Sequence, residues 1–349
     1  MRVWAPGRIN LIGEHTDYSG GLVLPAAIEL GLAIAVRPGQ EHVRMSSTTF
    51  GDAAPFAADG SGPRISGWGR FGQAVAAELD QLGRPAIGLE ATVSSTLPAG
   101  SGLSSSAALE VGIALALCAV ADFELDALDL AAACQRAERE AVGVPCGILD
   151  QAASLLGRAG QAIMLDCRST EHVYVSVPAD AAFLIVDSGV DRSLEHTGYS
   201  TRRSELERGL AQLGVDSPRD LSLSDIDGLD EVPERRLRHV ITENDRVARF
   251  AAALQDGDLP AAGQLMSASH ASLRDDYMVS IPELDRLVVQ AQEHGALGAR
   301  MLGGGFGGSV LALARTDQAE AIATAMADAT NARRPPLVVH ASAGALVRP

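Results

Sequence analysis

The stretch Gly7-Arg8-Ile9-Asn10-Leu11-Ile12-Gly13-Glu14-His15-Thr16-Asp17-Tyr18-Ser19-Gly20-Gly21 contains the most informative pattern in this 349-residue chain. Small and apolar residues lead into Glu14, His15, Asp17 and Tyr18, which lie within five positions between glycines. Buried polar groups must be hydrogen-bonded, and carboxylates accept from vicinal hydroxyls while histidine donates or accepts. The pattern therefore predicts a pocket for a hydroxyl-rich ligand. The alternative is a polar hairpin end whose side chains cap their own backbone.

The composition is that of a soluble globular protein, with 47% hydrophobic and 21% charged residues. The length suits two domains or one large α/β body. No apolar run reaches the roughly eighteen residues of a membrane-spanning helix, and the first residues do not form a signal-peptide pattern, so we expect a cytoplasmic protein. The cysteines show no Cys-X-X-Cys pairing, which favours buried thiols over a zinc site. They are Cys118, Cys134, Cys146 and Cys167.

The chain contains no lysine, so all 28 residues counted as Lys or Arg are arginine. This absence excludes a Walker A loop, a protein-kinase strand lysine and a Schiff-base lysine. Phosphate would have to be bound by backbone amides, arginine and a metal ion. The formal net charge of −16 argues against nucleic acid and anionic membranes as partners, because both require a basic surface.

A second pattern, Ala99-Gly100-Ser101-Gly102-Leu103-Ser104-Ser105-Ser106-Ala107, follows a predicted strand (88–97) and precedes an apolar helix that ends near Val120. This order aims backbone N–H groups and a positive helix end at one place, which can bind an anion. Gly100 and Gly102 allow close approach of the backbone, and the serines add donors or a magnesium ligand. The alternative is a strand-to-helix turn with serine N-caps.

The rest of the chain gives an N-terminal α+β half and a C-terminal α/β half. The remaining predicted elements are β-structure over 1–38 with a break at Pro25, a loop over 51–67, helices over about 126–142 and after Gly147, strands near 163, 175 and 185, three amphipathic helices between 199 and 272, and a final strand, glycine-rich loop (303–308), strand, helix and strand.

Several segments resemble the GHMP kinases, the family of galactokinase, homoserine kinase, mevalonate kinase and phosphomevalonate kinase. Residues 97–108 resemble the family's central ATP-binding motif, and residues 7–25 resemble the signature of its galactokinase branch. Further matches follow in the family's order: Val144-Pro145-Cys146-Gly147-Ile148-Leu149-Asp150-Gln151, Gly198-Tyr199-Ser200-Thr201-Arg202-Arg203, Glu243-Asn244-Asp245-Arg246-Val247, Ser272-Leu273-Arg274-Asp275-Asp276-Tyr277 and the loop 303–308. One glycine-rich loop could arise by chance, whereas this series from end to end indicates a family member.

The resemblance implies a two-domain α+β fold. Residues 1–180 would be similar to ribosomal protein S5 domain 2 and residues 181–349 would be ferredoxin-like, with the active site between them. The implied reaction of galactose metabolism is transfer of the ATP γ-phosphoryl group to the C1 hydroxyl of α-D-galactose, giving α-D-galactose 1-phosphate and ADP. The implied ligands are galactose, ATP and Mg²⁺. We expect a monomer without a nucleic-acid or membrane partner.

The resemblance also implies two catalytic residues. Asp150 takes the place of the family's catalytic carboxylate, which would take the C1 hydroxyl proton or mainly position that hydroxyl. The alternative for Asp150 is a first-turn helix acid that interacts with the helix dipole. Arg8 matches the arginine beside this carboxylate and would screen charge that develops on the transferring phosphoryl group.

The binding residues fall into three implied sets. The sugar would be bound by Glu14, His15, Asp17, Gly147, Asp150 and Tyr199. ATP would be bound by Gly100, Ser101, Gly102, Leu103, Ser104, Ser105 and Ser106. Mg²⁺ would be held by Ser106 and Glu138, with Glu140 as the neighbouring alternative. The loop 303–308 would border the phosphates, brace the cleft or serve folding only, and His196 could line the cleft mouth.

Two other functions are compatible with the sequence. The first is a related sugar-1-kinase that acts on N-acetylgalactosamine, galacturonate or arabinose, although His15-Thr16-Asp17 before Gly20-Gly21 favours unmodified galactose. The second is a non-catalytic sensor of galactose and ATP. Intact Ser104-Ser105-Ser106-Ala107 and Asp150 favour an enzyme, because relatives that became sensors lost residues from this loop.

Overall fold

The computed structural model describes residues 1–98, 100–143, 146–191, 195–329 and 334–348, with the side chains of 195–197 and 328–329 excepted. Ala99, Val144, Pro145 and the side chain of His196, which the sequence analysis names, therefore lie outside the described residues.

The described elements confirm an α+β fold. In chain order the strands are β1 (Arg2–Asn10), β2 (Leu22–Val23), β3 (Pro25–Pro38), β4 (His42–Ser47), β5 (Gly51–Asp52), β6 (Phe56–Ala57), β7 (Leu89–Ser95), β8 (Gln161–Asp166), β9 (His172–Ser176), β10 (Ala181–Asp187), β11 (Gly298–Leu302), β12 (Ser309–Arg315), β13 (Leu337–Val339) and β14 (Leu346–Arg348). The helices are α1 (Gly69–Gln81), α2 (Ser105–Val120), α3 (Ala127–Val142), α4 (Leu149–Leu156), α5 (Glu195–Leu213), α6 (Glu231–Gln255), α7 (Leu259–Asp275), α8 (Pro282–Glu293) and α9 (Thr316–Ala329).

The first half is built on a seven-stranded sheet in the order β14-β1-β3-β7-β4-β5, with β6 also paired to β4. β7 alternates buried and exposed residues, as expected for a sheet with one face on the core. α2 packs against β1 and β3, and α1, α3 and α4 surround α2. Because α2 is enclosed on most sides, its sequence is apolar almost throughout.

The second half is built on a four-stranded antiparallel sheet in the order β11-β12-β10-β13. α7 and α8 pack on β11, α9 packs on β10, and α6 lies between α5 and α7. A small third sheet, β2-β8-β9, contacts α6. Val247, Phe250 and Met266 from α6 and α7 belong to the same buried core as Ile9 of β1 and Leu11 just after it, so the two halves share one packed interior.

The last strand returns to the first sheet, because β14 pairs with β1 from Arg2↔Arg348 to Trp4↔Leu346. A bridge between Ile28 and Ala341 lies beside it. The division of the chain at residue 180 stays a prediction, and β14 crosses it. A pairing that spans almost the whole chain has no local sequence signal.

Six of the elements described above are absent from the sequence prediction: β4, β5, β6, α1, α8 and β14. Two glycines, Gly69 and Gly72, lie in the first turn of α1 and lower its helical signal. α8 has Pro282 at its first position, where proline is a start signal for a helix that apolar periodicity alone does not contain. The segment 51–67, predicted as loop, also contains the two-residue strands β5 and β6.

The cysteines are free thiols, as expected, but the prediction that all are buried is wrong for two of them. Cys118 and Cys134 are buried, whereas Cys146 and Cys167 are partly exposed. Within the described ranges, none of the helices has the length and apolar content to span a bilayer.

Candidate active site

A cleft of about 470 Å³ is lined by residues of both halves of the chain. Every residue that the sequence predicts for catalysis, sugar, ATP or metal lies on its wall. These residues come from β1, the loop after it, the turn before α2, α3, the start of α4 and α5. The structure thus brings together predicted residues from Arg8 to Tyr199, which are 191 positions apart in sequence.

Asp150 lies in the first turn of α4 and is held by two donors. Its Oδ1 accepts from Arg8 Nε at 2.7 Å, and its Oδ2 accepts from Ser104 Oγ at 2.6 Å. Arg8 also donates from Nη1 to the carbonyl oxygen of Gly102 at 2.7 Å. Burial lowers the pKa of Arg8, but attraction to Asp150 and Glu14 outweighs burial and raises that pKa. The Asp150 carboxylate therefore has a fixed orientation beside a permanent positive charge.

The glycine-rich loop before α2, residues 100–104, directs the N-terminus of α2 into the cleft. Ser104 precedes α2 with φ 57° and ψ 50°, a left-handed conformation that is unfavourable for a residue with a Cβ. Its hydroxyl, which could have served as an N-cap, donates to Asp150 instead. The first N–H groups of a helix have no acceptor within the helix, and those of α2 lie beside Ser105 and Ser106 on the cleft wall. This arrangement suits a phosphate group next to Asp150.

Glu14 is the most firmly anchored carboxylate of the segment 13–22, which we call the sugar-binding loop after the role that the sequence predicts for it. Its Oε1 accepts from Arg300 Nη2 at 3.1 Å and from the backbone N–H of Gly303 at 2.8 Å. Burial alone would raise the pKa of Glu14, but attraction to Arg300 and Arg8 outweighs it and lowers the pKa to about 2. Glu14 is therefore an anion at every physiological pH.

Asp17, Gly147 and Tyr199 lie together on the cleft wall. A Cβ on Gly147 would lie 1.9 Å from Asp17 Oδ2, so only glycine allows this carboxylate its position. Burial, followed by repulsion from Asp150 and Glu14, raises the pKa of Asp17 to about 7. Burial also raises the pKa of Tyr199 well above its ordinary value, so its phenol keeps its proton and can donate.

His15 has both ring nitrogens engaged by the protein. Its Nε2 lies 3.2 Å from the carbonyl oxygen of Gly304, which can only accept, so Nε2 carries the proton. Its Nδ1 therefore accepts from the Tyr18 hydroxyl at 3.1 Å, and that hydroxyl in turn accepts from Tyr277 at 2.5 Å. Burial lowers the pKa of His15 to about 4, so the ring is neutral. To bind a sugar hydroxyl through nitrogen, His15 would have to give up one of these bonds.

Glu138 faces the cleft, whereas the neighbouring Glu140 pairs with Arg64 near the surface. Ser106 Oγ donates to Glu138 Oε1 at 2.9 Å, and Gln151 Nε2 donates to Glu138 Oε2 at 2.8 Å. Burial, followed by repulsion from Asp150, raises the pKa of Glu138. The two oxygens of Ser106 and Glu138 form a hard oxygen pair at the end of the glycine-rich loop.

A buried layer of side chains behind Glu138 is absent from the sequence prediction. Gln151 Nε2 also donates to Oε2 of Glu110, a fully buried residue of α2, at 3.0 Å. Burial, followed by repulsion from Glu138, raises the pKa of Glu110 well above its ordinary value, which favours its protonated form. A lone glutamate in the apolar helix α2 was the available signal, because a buried carboxylate requires a partner.

The glycine-rich loop 303–308 contacts the sugar-binding loop. The Gly303 N–H donates to Glu14, and the Gly304 carbonyl accepts from His15. Ser309 Oγ, just beyond it, donates to the carbonyl oxygen of Ser101 at 3.1 Å. Of the roles that the sequence left open for this loop, these bonds favour bracing of the cleft.

Two more residues of the cleft wall, Arg70 and Phe71, were also missed. They belong to the first turn of α1 and line the same cleft as Val142 of α3. α1 itself was not predicted, so these side chains could not be assigned to the site from the sequence. Phe71 adds an aromatic ring to the cleft wall, and Arg70 adds a positive charge.

Three segments of the chain match models of known protein families, and one of them includes the glycine-rich loop before α2. Residues 70–158 match the model of the GHMP kinases N terminal domain, and residues 250–332 match that of the GHMP kinases C terminal. Residues 2–38 match the galactokinase galactose-binding signature. The class that fold and site define is therefore the GHMP kinases.

Individual relatives narrow the family. The chain is 40% identical over 328 residues to a galactokinase of Thermococcus kodakarensis, covering 94% of this chain and 93% of the relative. It is 42% identical over 342 residues to a galactokinase of Streptomyces coelicolor, covering 94% of this chain and 88% of the relative. The chain belongs to the galactokinase family.

Solved structures agree with this assignment. The crystal structure of Lactococcus lactis galactokinase complexed with galactose matches with a TM-score of 0.92 and 33% identity, over 99% of this chain and 94% of that chain. Methanococcus jannaschii mevalonate kinase matches with a TM-score of 0.69 at 19% identity, covering 98% of each chain, which shows a shared fold only.

Proposed function

We propose that this chain transfers the γ-phosphoryl group of ATP to the C1 hydroxyl of α-D-galactose, giving α-D-galactose 1-phosphate and ADP. The observation that carries the proposal is the position of Asp150. It lies between the sugar-binding loop and the start of α2, oriented by Arg8 and Ser104. Relatives named galactokinase, and one solved with galactose, support the same substrate.

The proposed chemistry needs one base and a stabilised phosphoryl group. The C1 hydroxyl oxygen attacks the γ-phosphorus, the bond to the bridging oxygen breaks, and its electron pair leaves with ADP. The hydroxyl proton passes to Asp150, whose oxygens each have a lone pair beyond the one that Arg8 or Ser104 engages. Arg8 is placed to offset charge on the phosphoryl oxygens in the transition state.

In this proposal the sugar and ATP are bound by different parts of the cleft wall. Glu14 and Asp17 accept hydrogen bonds from sugar hydroxyls, and Tyr199 donates one. The triphosphate lies against residues 100–106, where backbone N–H groups of the turn and of α2 take the role that lysine has in other kinases. The adenine ring of ATP packs on the Phe71 ring of the cleft wall.

The oxygen pair of Ser106 and Glu138 fits a magnesium ion. Mg²⁺ usually binds through one or two protein groups, with phosphate and water supplying the rest. Across the described parts of the chain, no cluster of three His, Cys, Asp or Glu side chains could hold a metal by itself. We propose Ser106 and Glu138 as the protein ligands of the Mg²⁺ that accompanies ATP. When bound, the ion would neutralise phosphate charge.

Glu138→Gln should raise the Mg²⁺ concentration for half-maximal activity at least about tenfold, because a neutral amide is a weaker ligand than a carboxylate. The measurement is a magnesium titration at constant ATP. Glu140→Gln is the matched control, because Glu140 lies on the same helix and pairs with Arg64 outside the cleft. Superimposable titration curves for Glu138→Gln and wild type would place the metal ligand elsewhere.

Substrate choice is tested by ADP release with a panel of galactose, N-acetylgalactosamine, galacturonate, arabinose, glucose and mevalonate. The proposal predicts the highest kcat/KM on galactose. A higher value on another sugar would retain the kinase chemistry and replace the substrate, and binding of galactose and ATP without turnover would indicate a sensor.

We further propose that the protein acts in the cytoplasm as a monomer, without nucleic acid or membrane as partners.

A further inference from the structure

The segment Glu243-Asn244-Asp245-Arg246-Val247 lies in α6, behind the sugar-binding loop rather than on the cleft wall. We propose that Glu243 and Asn244, together with Arg300 of β11, are positioning residues that set the conformation of the sugar-binding loop. The inference rests on the proposed function for what the loop binds. It concerns residues that touch neither reacting atom, and it assigns a role to a motif that the catalytic chemistry leaves unexplained.

Both ends of the loop are held by side chains of α6. Glu243 Oε1 accepts from the backbone N–H of Gly13 at 3.1 Å. Asn244 Oδ1 accepts from the backbone N–H of Leu22 at 2.7 Å. Two adjacent residues of one helix therefore fix the first and last residues of the loop, and a shift of α6 would move both ends together.

Arg300 holds the entry to the loop and its main carboxylate. Its Nε donates to the carbonyl oxygen of Leu11 at 2.9 Å, and Nη2 donates to that of Asn10 and to Glu14 Oε1, the latter at 3.1 Å. The Arg300 side chain is fully buried. The planar guanidinium thus links backbone and side chain of the loop in one fixed geometry, which an ammonium group could not reproduce.

The acceptor of Gly13 is itself fixed. Glu243 is fully buried, and its second oxygen accepts from Arg246 Nε at 2.6 Å while Oε1 also accepts from Ser269 Oγ at 2.5 Å. A buried carboxylate is tolerated only when it is paired and hydrogen-bonded. These bonds hold Glu243 in the one orientation that reaches Gly13.

The loop requires such support because its backbone is strained. His15 has φ +63°, a region that residues with a side chain rarely adopt, and Gly13, with φ +99°, has a conformation that glycine alone adopts readily. His239 Nε2 adds a bond to the carbonyl oxygen of Glu14 at 3.0 Å. Strained conformations persist only when their surroundings determine them. Here the surroundings come from the second half of the chain, while the loop itself belongs to the first.

Asn244→Ala tests the inference with little risk to folding, because Asn244 is only partly buried. Loss of the acceptor for Leu22 should raise KM for galactose about fivefold, with KM for ATP within about twofold of wild type. Asn244→Asp keeps an acceptor oxygen and should restore KM for galactose. Asp245→Ala, next along α6 and exposed, is the matched control and should behave as wild type. A rise in both KM values together would indicate general destabilisation and overturn the inference.

Hydrogen–deuterium exchange without substrate separates this inference from the proposed function. The peptide that covers residues 13–22 should exchange faster in Asn244→Ala than in wild type or Asp245→Ala, while peptides of α2 should be unchanged. Unchanged exchange in residues 13–22 would refute the positioning role, even if galactose is the substrate. Faster exchange in a protein that does not phosphorylate galactose would retain the positioning role and refute the proposed function.

Discussion

Replacing Asp150 by asparagine should lower kcat about 10²- to 10⁴-fold, the range of a positioned general base, while galactose and ATP still bind. The substitution keeps the shape of the side chain. Its oxygen can accept from Arg8, and the Ser104 hydroxyl can rotate to accept from the new amide, so the contacts at 2.7 and 2.6 Å need not be lost. What disappears is the capacity to take the proton of the C1 hydroxyl.

The effect is measured by steady-state kinetics together with calorimetric binding of galactose and of ADP. Asp129→Asn, on the exposed surface of α3, controls for the loss of one negative charge. A kcat within threefold of wild type, with normal binding, would remove Asp150 from the proton transfer. A pure loss of galactose binding would make it a sugar ligand only.

Arg8→Met should lower kcat/KM about 10²- to 10³-fold, as expected when one preorganised group that stabilises transition-state charge is removed. Arg8 is nine-tenths buried and bonded to both Asp150 and the carbonyl oxygen of Gly102. Methionine fills a similar volume but leaves Asp150 without its cation and the glycine-rich loop without a tether. Arg8→Lys should recover only part of the loss, because one ammonium group cannot reproduce the planar fork of donors.

The measurement compares kcat/KM for both substrates with the thermal unfolding midpoint. Arg64→Met, at a surface arginine with an exposed side chain, is the control. If Arg8→Met unfolds at the wild-type temperature and retains wild-type kcat/KM, the proposed electrostatic role is wrong. A drop in activity that follows a drop in the unfolding temperature would make Arg8 a structural residue instead.

The residues that the sequence predicts for the site lie on one cleft wall, and their motifs are local. A glycine-serine turn between a strand and an apolar helix directs the helix N-terminus to one place, and the helix predicted after Gly147 has Asp150 in its first turn. The dense polar run from Glu14 to Tyr18 marks the sugar-binding loop for the same reason. These segments could be placed in one cleft because their order matched a known family.

Glu110, Arg300 and the pairing of β14 could not be predicted, because they depend on contacts that sequence periodicity does not encode. Glu110 and Arg300 are single charged residues within apolar elements. Glu110 is bonded to Gln151, 41 positions away, and Arg300 is bonded to Asn10, Leu11 and Glu14, which lie 286 to 290 positions away. The pairing of β14 with β1 joins the two ends of the chain. Each of these residues breaks an apolar pattern, which predicts that a partner exists but not which residue it is.

The most direct test is the ³¹P NMR spectrum of the product formed from galactose, ATP and Mg²⁺ by the wild-type protein. We predict one new phosphomonoester signal, coupled to the anomeric proton of α-galactose, that appears in step with ADP. A phosphoryl group on another oxygen of the sugar, or ADP formation without a sugar phosphate, would contradict the role assigned to Asp150 and to the sugar-binding loop.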